Sequence, residues 1–452
     1  MQKRLFGTDG IRGKANTHPI TAEMAIKVGS AVAQVLGGGG GGTRVVIGKD
    51  TRMSGDMLEH ALAAGICSAG ANALLAGILS TPGLAYLTRE MECDAGVMVS
   101  ASHNPFYDNG IKVFKADGFK LTDDMESEIE SKALEGLAAQ RSDDGRAVGR
   151  VQRVVDATRR YCTFLHQIFR DARFLKGLTI VLDCANGATF EIAPAVFEAF
   201  GARVRTLSCE PDGININDQC GSEHPERLAE AVIQNGAVAG FAFDGDGDRV
   251  IAVDERGSRV TGDRMLVLCA KTMKAQGRLK NNLVVTTVMS NIGLHVALKR
   301  LGIDHVITRV GDRYVLEAML KHGASIGGED SGHLIFLEHH TTGDGIIGAL
   351  KVLEAVTTAH RPLSELAGVM EVFPQSLINV EVRDKPPLET VPAIAEAVRR
   401  AEQGLGDSGR VLVRYSGTQP LCRVMVEGPS REQTRNVCEE IAEVVAATLG
   451  AF

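Results

Sequence analysis

Short β-branched apolar runs alternate with segments of helical spacing through the first three-quarters of the chain. Arg44-Val45-Val46-Ile47-Gly48 reads as a strand, and Met57 to Cys67, after a polar turn, as its helix. Ala95 to Ser100 is the next strand. Leu178 to Asp183 opens a second series, with Phe190 to Phe200 as its helix. Ala237 to Phe243 and Leu283 to Val288 are further strands. This alternation predicts α/β units with mainly parallel sheets covered by helices, and places functional sites at strand C-termini.

Polar stretches suggest the boundaries. Arg141 to Arg146 precedes a linking helix around Asp156 to Phe169, and Asp254-Glu255-Arg256-Gly257 reads as a turn. After about Gly368 the pattern changes: Leu377 to Val382 and Arg423 to Glu427 read as strands around a helix from Pro392 to Gln403, a smaller α+β unit. The expected domains are 1–150, 151–253, 254–367 and 368–452. At roughly 150 residues per domain the length alone suggests three, yet four units of this size are reasonable. The run Gly37 to Gly42 reads as a flexible surface loop. A phosphate cradle is a poor second reading, because no Lys-Ser/Thr pair follows it.

Composition narrows the class. Hydrophobic residues make up 44% and charged residues 23%, as in soluble globular proteins. A net charge of −7 argues against broad nucleic-acid binding but leaves room for a local basic pocket. Nine cysteines without CxxC spacing suit a reduced, cytoplasmic protein. The start, Met1 to Gly7, lacks the apolar core of a signal peptide. No apolar run approaches the ~20 residues of a membrane helix, so no membrane partner is expected.

Two motifs carry chemistry. Ser100-Ala101-Ser102-His103-Asn104-Pro105 offers a hydroxyl nucleophile in a Pro-punctuated loop, and Asn109-Gly110-Ile111-Lys112 follows with a turn and a lysine that could move a proton or hold a phosphate. Asp244-Gly245-Asp246-Gly247-Asp248-Arg249 packs three carboxylates into five positions. Such crowded carboxylates repel, and a bound Mg²⁺ is the simplest stabiliser. Arg249 could pair with one acid or touch a phosphoryl group. The pairing of serine and metal loop suggests phosphoryl transfer through the serine itself.

Other segments are less specific. Gly327 to His333 could bind sugar hydroxyls through Glu329 and Ser331, with His333 titrating near neutrality. Arg414-Tyr415-Ser416-Gly417-Thr418 has the parts of an anion nest, to which Arg423 adds charge, although a plain hairpin turn is also open. In Gly7 to Gly13, Asp9 and Arg12 could pair. Gly48 to Gly55 is loop-like and could simply cap the following helix.

In this order the motifs resemble the α-D-phosphohexomutase superfamily over essentially the whole chain. The Phe6-Gly7-Thr8-Asp9-Gly10-Ile11-Arg12-Gly13 opening is most similar to the bacterial branch acting on glucosamine phosphates. The resemblance implies three related mixed α/β domains and a C-terminal α+β domain of the TATA-binding-protein-like fold. It implies an isomerase interconverting glucosamine 6-phosphate and glucosamine 1-phosphate, toward UDP-N-acetylglucosamine and the cell wall. A phosphoglucomutase or phosphomannomutase is the alternative.

Ser102 would be the phosphoserine. One Mg²⁺ per chain would sit among Asp244, Asp246, Asp248 and a phosphate oxygen on Ser102. His103, Lys112, Arg249 and Arg12 would assist at the transferred group, and Glu329, Ser331 and His333 would recognise the sugar. Arg414, Ser416, Gly417 and Thr418 would grip the second phosphate, with Arg309 and Arg423 as further basic contacts. Glucosamine or glucose 1,6-bisphosphate would be the activator, and the chain a monomer or homodimer. Two positions depart from relatives, which usually carry Gln in place of Asp330 and Glu in place of Gln419. Asp330 adds a potential charge beside the sugar that could favour an ammonium at C2.

Overall fold

In the first three sheets, parallel strands meet an antiparallel return. The computed structural model describes residues 5–7, 9–37, 42–135, 148–169, 171–416 and 420–450. Gly38 to Gly41 of the glycine run and the polar stretch 141–146 lie outside these. The chain forms two units, residues 1–289 with 303–369, and residues 290–302 with 370–452.

The first unit holds three sheets. One runs Ile11–Lys14, Asp108–Lys115, Ala95–Val99, Arg44–Lys49, Asn72–Ile78 and Val151–Arg153 from edge to edge. Its last four strands are parallel and its first two antiparallel to their neighbours. The next runs Arg259–Val260, Val250–Asp254, Ala239–Phe243, Thr179–Asp183 and Arg203–Leu207. Its three later positions are parallel, whereas Val250–Asp254 returns antiparallel after Ala239–Phe243. The third runs Asp304–Thr308, Leu283–Thr287, Ile326–Gly328 and Leu334–Phe336, again parallel until the final antiparallel strand.

Buried apolar strands such as Ala95–Val99 and Ala239–Phe243 explain the near-continuous hydrophobic runs. The predicted strands and helices are present within a few residues of the expected ends, including Gly55–Ser68, Ala157–Ile168 and Ile192–Ala199. Helices Ala22–Leu36 and Gly55–Ser68 cross closely at Gly29 and Gly65. A side chain on Gly65 would meet the Ile26 carbonyl at 2.0 Å.

The second unit is an antiparallel sheet, Gln375–Glu381, Leu421–Glu427 and Arg410–Tyr415, packed on helices Pro392–Leu405 and Arg431–Leu449. Ile394, Val424, Val426, Ile441 and Val445 fill its core. Helix Ile292–Arg300 joins this unit through buried Glu427, which accepts from Ile292 N at 2.9 Å, Asn291 Nδ2 at 3.1 Å and Arg410 Nε at 2.7 Å. The motif around Arg414 ends a strand the periodicity did not pick out. Among the described residues, no helix is long and apolar enough to cross a membrane.

His340 ties two parts of the first unit. Its buried ring donates from Nε2 to the Pro82 carbonyl at 2.9 Å and accepts at Nδ1 from Thr341 N at 2.8 Å. Burial pushes its pKa down to about 4, so the folded form holds a neutral ring. The stability this supports is present above about pH 6.5 and is lost as pH falls toward 4. Denaturant titrations should show wild type losing on the order of 2 kcal/mol more than His340→Gln between about pH 6.5 and 5.

Candidate active site

Each candidate loop of the first unit closes the same structural step. Residues 100–107 link strand Ala95–Val99 to its antiparallel return Asp108–Lys115, and 244–249 link Ala239–Phe243 to Val250–Asp254. Residues 329–333 link Ile326–Gly328 to Leu334–Phe336. In the second unit, 416–420 join Arg410–Tyr415 to Leu421–Glu427.

Ser102 is buried, with φ +55°, a left-handed conformation that a serine adopts only when its surroundings impose it. Its Oγ donates to Asp244 Oδ2 at 2.5 Å and lies 3.5 Å from His103 Nδ1. The serine and aspartate loops therefore meet at the hydroxyl. Gly245 is needed here, because a Cβ would stand 2.6 Å from the Ser102 carbonyl.

Asp244, Asp246 and Asp248 are all buried, with ligand atoms within 4.8 Å of one another. Lys112 Nζ is 2.8 Å from Asp246 Oδ2, 3.3 Å from Asp248 Oδ2 and 3.3 Å from Asp9 Oδ2. Burial opposes its charge, but the Asp246, Asp248 and Asp9 carboxylates outweigh it and hold the amine well above the usual lysine range. Lys112 is thus an ammonium that can donate but does not accept a proton near neutrality. Burial raises the Asp244 carboxyl, and the Asp248 and Asp246 charges raise it further. Asp248 goes the other way: burial is overcome by Lys112, His333 and Arg249, which hold it well below the carboxylate range.

His103 is lowered by burial and by the Arg249 guanidinium, whose Nη1 donates to His103 Nδ1 at 3.2 Å. A neutral ring with an accepting nitrogen results. Arg249 also donates its backbone N–H to Asp244 Oδ1 at 3.0 Å. Arg12 pairs with Asp9, as the sequence suggested, and reaches the Ala101 carbonyl at 3.4 Å. Asp9 further pairs with Lys120, which bridges to Asp312.

The sugar-loop residues divide. His333 is buried rather than open to solvent, 3.8 Å from Asp248 Oδ1 and 3.7 Å from Asp312 Oδ2; burial lowers its pKa, and these acids raise it by more. Glu329 Oε1 accepts from Gly311 N at 3.0 Å, and Ser331 Oγ is buried without a hydrogen-bond partner. Arg309 is exposed and stacks over Tyr314 at 4.1 Å. In the second unit, Arg414 and Arg423 face each other across the sheet. Burial and the Arg423 charge lower Arg414, while Ser416 is buried with its carbonyl accepting from Lys385 at 2.7 Å. Gly417, Thr418 and Gln419 lie outside the described residues.

Sequence reasoning missed several residues at this site. The segment Gly48 to Gly55 does not cap its helix, since Ser54 makes no side-chain capping bond and instead accepts from Asn109 Nδ2 at 2.8 Å. Its Arg52 is buried beside the serine loop. Asn217 and Lys120 had no local signal, for Ser102, Asp9 and Asp312, which they meet, lie more than 100 residues from them in sequence.

The donor set fits Mg²⁺: three carboxylates in one buried place, with Asp246 Oδ1 lacking any hydrogen-bond partner.

Comparison with known proteins gives the family. Family models match four successive stretches: phosphoglucomutase/phosphomannomutase alpha/beta/alpha domain I at residues 3–139, domain II at 159–257, domain III at 261–373, and the C-terminal domain at 377–444. The chain belongs to the phosphoglucomutase/phosphomannomutase family. It is 55% identical to the phosphoglucosamine mutase of Syntrophus aciditrophicus over 447 residues, covering 99% of this chain and all of that one. It is 53% identical to the phosphoglucosamine mutase of Syntrophobacter fumaroxidans, with 99% of each covered. In fold it is similar to a family protein from Burkholderia thailandensis, with TM-score 0.80 at 23% identity over 98% of this chain and 96% of that one. It is also similar in fold to N-acetylphosphoglucosamine mutase of Aspergillus fumigatus crystallised with GlcNAc-6P and magnesium, with TM-score 0.66 at 18% identity over 99% and 96% of the two chains.

Lys112 is the chief counter-charge to Asp246 and Asp248. Lys112→Met should lower metal-free stability by about 3–5 kcal/mol, the cost of leaving buried charges unpaired. Thermal unfolding with and without Mg²⁺ should show the cation recovering part of that loss.

Proposed function

We propose that the chain interconverts glucosamine 6-phosphate and glucosamine 1-phosphate through a phosphorylated Ser102. The support is the 2.5 Å hydrogen bond that sets Ser102 Oγ against three buried carboxylates, in a chain 51–55% identical to phosphoglucosamine mutases over nearly full length. A free sugar hydroxyl attacks the phosphoserine phosphorus, the bond to Oγ breaks, and a 1,6-bisphosphate forms. That intermediate turns end for end and returns its other phosphate to Ser102.

His103 is neutral with Nδ1 3.5 Å from the serine oxygen, and that nitrogen would relay the hydroxyl proton toward Oγ once the Arg249 N–H leaves it for the phosphoryl group. Lys112, Arg12 and Arg249 supply positive charge and donors around the transferred group. Asp244, Asp246 and Asp248 would hold Mg²⁺, which when bound offsets phosphoryl charge. Glu329, Ser331 and His333 are the sugar-facing set in this reading, and Arg414, Ser416, Gly417, Thr418, Arg423 and Arg309 the contacts to the second phosphate. Glucosamine or glucose 1,6-bisphosphate would prime Ser102. The enzyme would work in the cytoplasm on soluble phosphosugars.

The deciding measurement is kcat/KM for glucosamine, glucose and mannose 1-phosphates with Mg²⁺ and a trace of bisphosphate. A preference for the amino sugar is expected, and a preference for glucose or mannose would move the chain to another branch of the family. Ser102→Ala should abolish most turnover while leaving ligand binding, and chelation followed by added Mg²⁺ should switch wild-type turnover off and on.

A further inference from the structure

Arg52 is buried inside the protein, and its guanidinium is spent on the serine loop. Nη2 donates to the Ser102 carbonyl at 2.9 Å and to the Asn104 carbonyl at 2.8 Å. Nη1 donates to the Asp108 carbonyl at 3.1 Å and to that of Pro105. Nε pairs with Asp50 Oδ2 at 2.9 Å. The same Asp50 oxygen accepts from Ser100 Oγ at 2.6 Å, and Ser100 Oγ accepts from Ser102 N at 3.0 Å. Both backbone polar groups of Ser102 are therefore tied, directly or through Ser100, to one Arg52–Asp50 pair.

A second donor grips the same place. Asn217 Nδ2 donates to the Ser102 carbonyl at 2.9 Å and the Asn104 carbonyl at 3.0 Å. Asn217 itself sits at φ +58°, and its N–H donates to the Ala185 carbonyl at 2.9 Å. Two side chains from separate loops of the first unit thus share two carbonyls, that of the reactive residue and that of Asn104 two positions on. A loop closing a strand return has no ladder bonds of its own across these positions, so its carbonyls need such donors.

We infer that Arg52 and Asn217 are positioning residues for phosphoryl transfer, holding the Ser102 backbone in its left-handed conformation so that Oγ stays aimed at the aspartate loop. The inference rests on the mutase reading above. Neither side chain donates to Ser102 Oγ; each acts through backbone carbonyls. Relaxing the clamp lets the serine leave its imposed conformation, and misplacement of a reacting atom by about 1 Å can cost on the order of 100-fold in rate.

The test uses the full-length enzyme with Mg²⁺, glucosamine 1-phosphate and glucose 1,6-bisphosphate. Arg52→Lys keeps a cation against Asp50 but cannot span the carbonyls. Asn217→Gly keeps the left-handed backbone and removes the donor. Val232→Ala, a buried truncation in the helix Glu226–Gln234, serves as a destabilised control. Readouts are kcat, KM, the thermal midpoint, and the rate at which Ser102 acquires phosphate from the bisphosphate by intact mass.

Both clamp variants should lose about 10- to 100-fold in kcat and in the rate of serine phosphorylation, with KM within about threefold of wild type. The control should lose thermal stability only. Clamp variants that melt earlier yet keep wild-type kcat, or that raise KM alone, overturn the inference. If Arg52→Lys does not fold, Asn217→Gly decides by the same criteria. A wild-type chain that neither turns over phosphosugars nor phosphorylates Ser102 overturns the mutase reading and the inference with it, whereas an active wild type with unaffected variants overturns the inference alone.

Discussion

Three carboxylates buried within 4.8 Å of one another are the constraint around which the first unit is organised. Left alone they would repel strongly or take up protons, because charge in a low-dielectric site is costly. The chain answers with one cation from a distant segment and one from close by. Lys112 arrives on the strand returning from the serine loop, and Arg249 from the aspartate loop itself. Asp9, Arg12, Lys120, Asp312 and His333 extend the alternation of sign away from the cluster. Such a lattice favours its own geometry, since most of its members meet more than one charge of opposite sign.

Positioning of the serine is handled by different groups. The Arg52–Asp50 pair and Asn217 act on backbone atoms, whereas Asp244 and His103 face the hydroxyl. This separation has a physical logic. In the proposed reaction, groups around Ser102 Oγ must tolerate a change of charge as phosphate arrives and leaves, and groups on the carbonyls need not. Rigid backbone anchoring beside an adjustable electrostatic environment would let one loop serve both halves of the proposed transfer.

The meeting of the serine and aspartate loops was legible in the sequence because their motifs are local. Ser102-His103 and Asp244 to Asp248 lie in short spans after buried apolar strands, and the periodicity located those strands. What periodicity could not convey was direction: the strands after the serine, aspartate and Glu329 loops run back antiparallel, so each loop is a hairpin connection and not a crossover to a helix. Arg52 was hidden for a related reason. Its run, Gly48 to Gly55, has the polarity of an exposed turn, and only the fold shows that loops 50 residues later enclose it. His333 carried the chemistry of a sugar contact in sequence, but its burial between Asp248 and Asp312 follows from packing across the unit.

Asp330 illustrates how a suggestive charge can be spent elsewhere. Beside a sugar loop, an extra carboxylate invites assignment to the ammonium of an amino sugar. In the structure its Oδ1 accepts from Asp263 N at 3.3 Å and its backbone carbonyl from Gly262 N at 3.1 Å, both at the start of helix Gly262–Ala275. A carboxylate there satisfies an otherwise open helix N–H and lies in the favourable field of the helix dipole, worth about 0.3–1 kcal/mol. A Gln side-chain oxygen could accept the same bond without the charge. The Asp330 carboxylate is therefore accounted for by helix capping, and discrimination for an amino sugar has to be sought in groups whose acceptors are still open to a ligand. Glu329 is the nearer candidate: Gly311 N engages its Oε1, and that side chain is only partly buried.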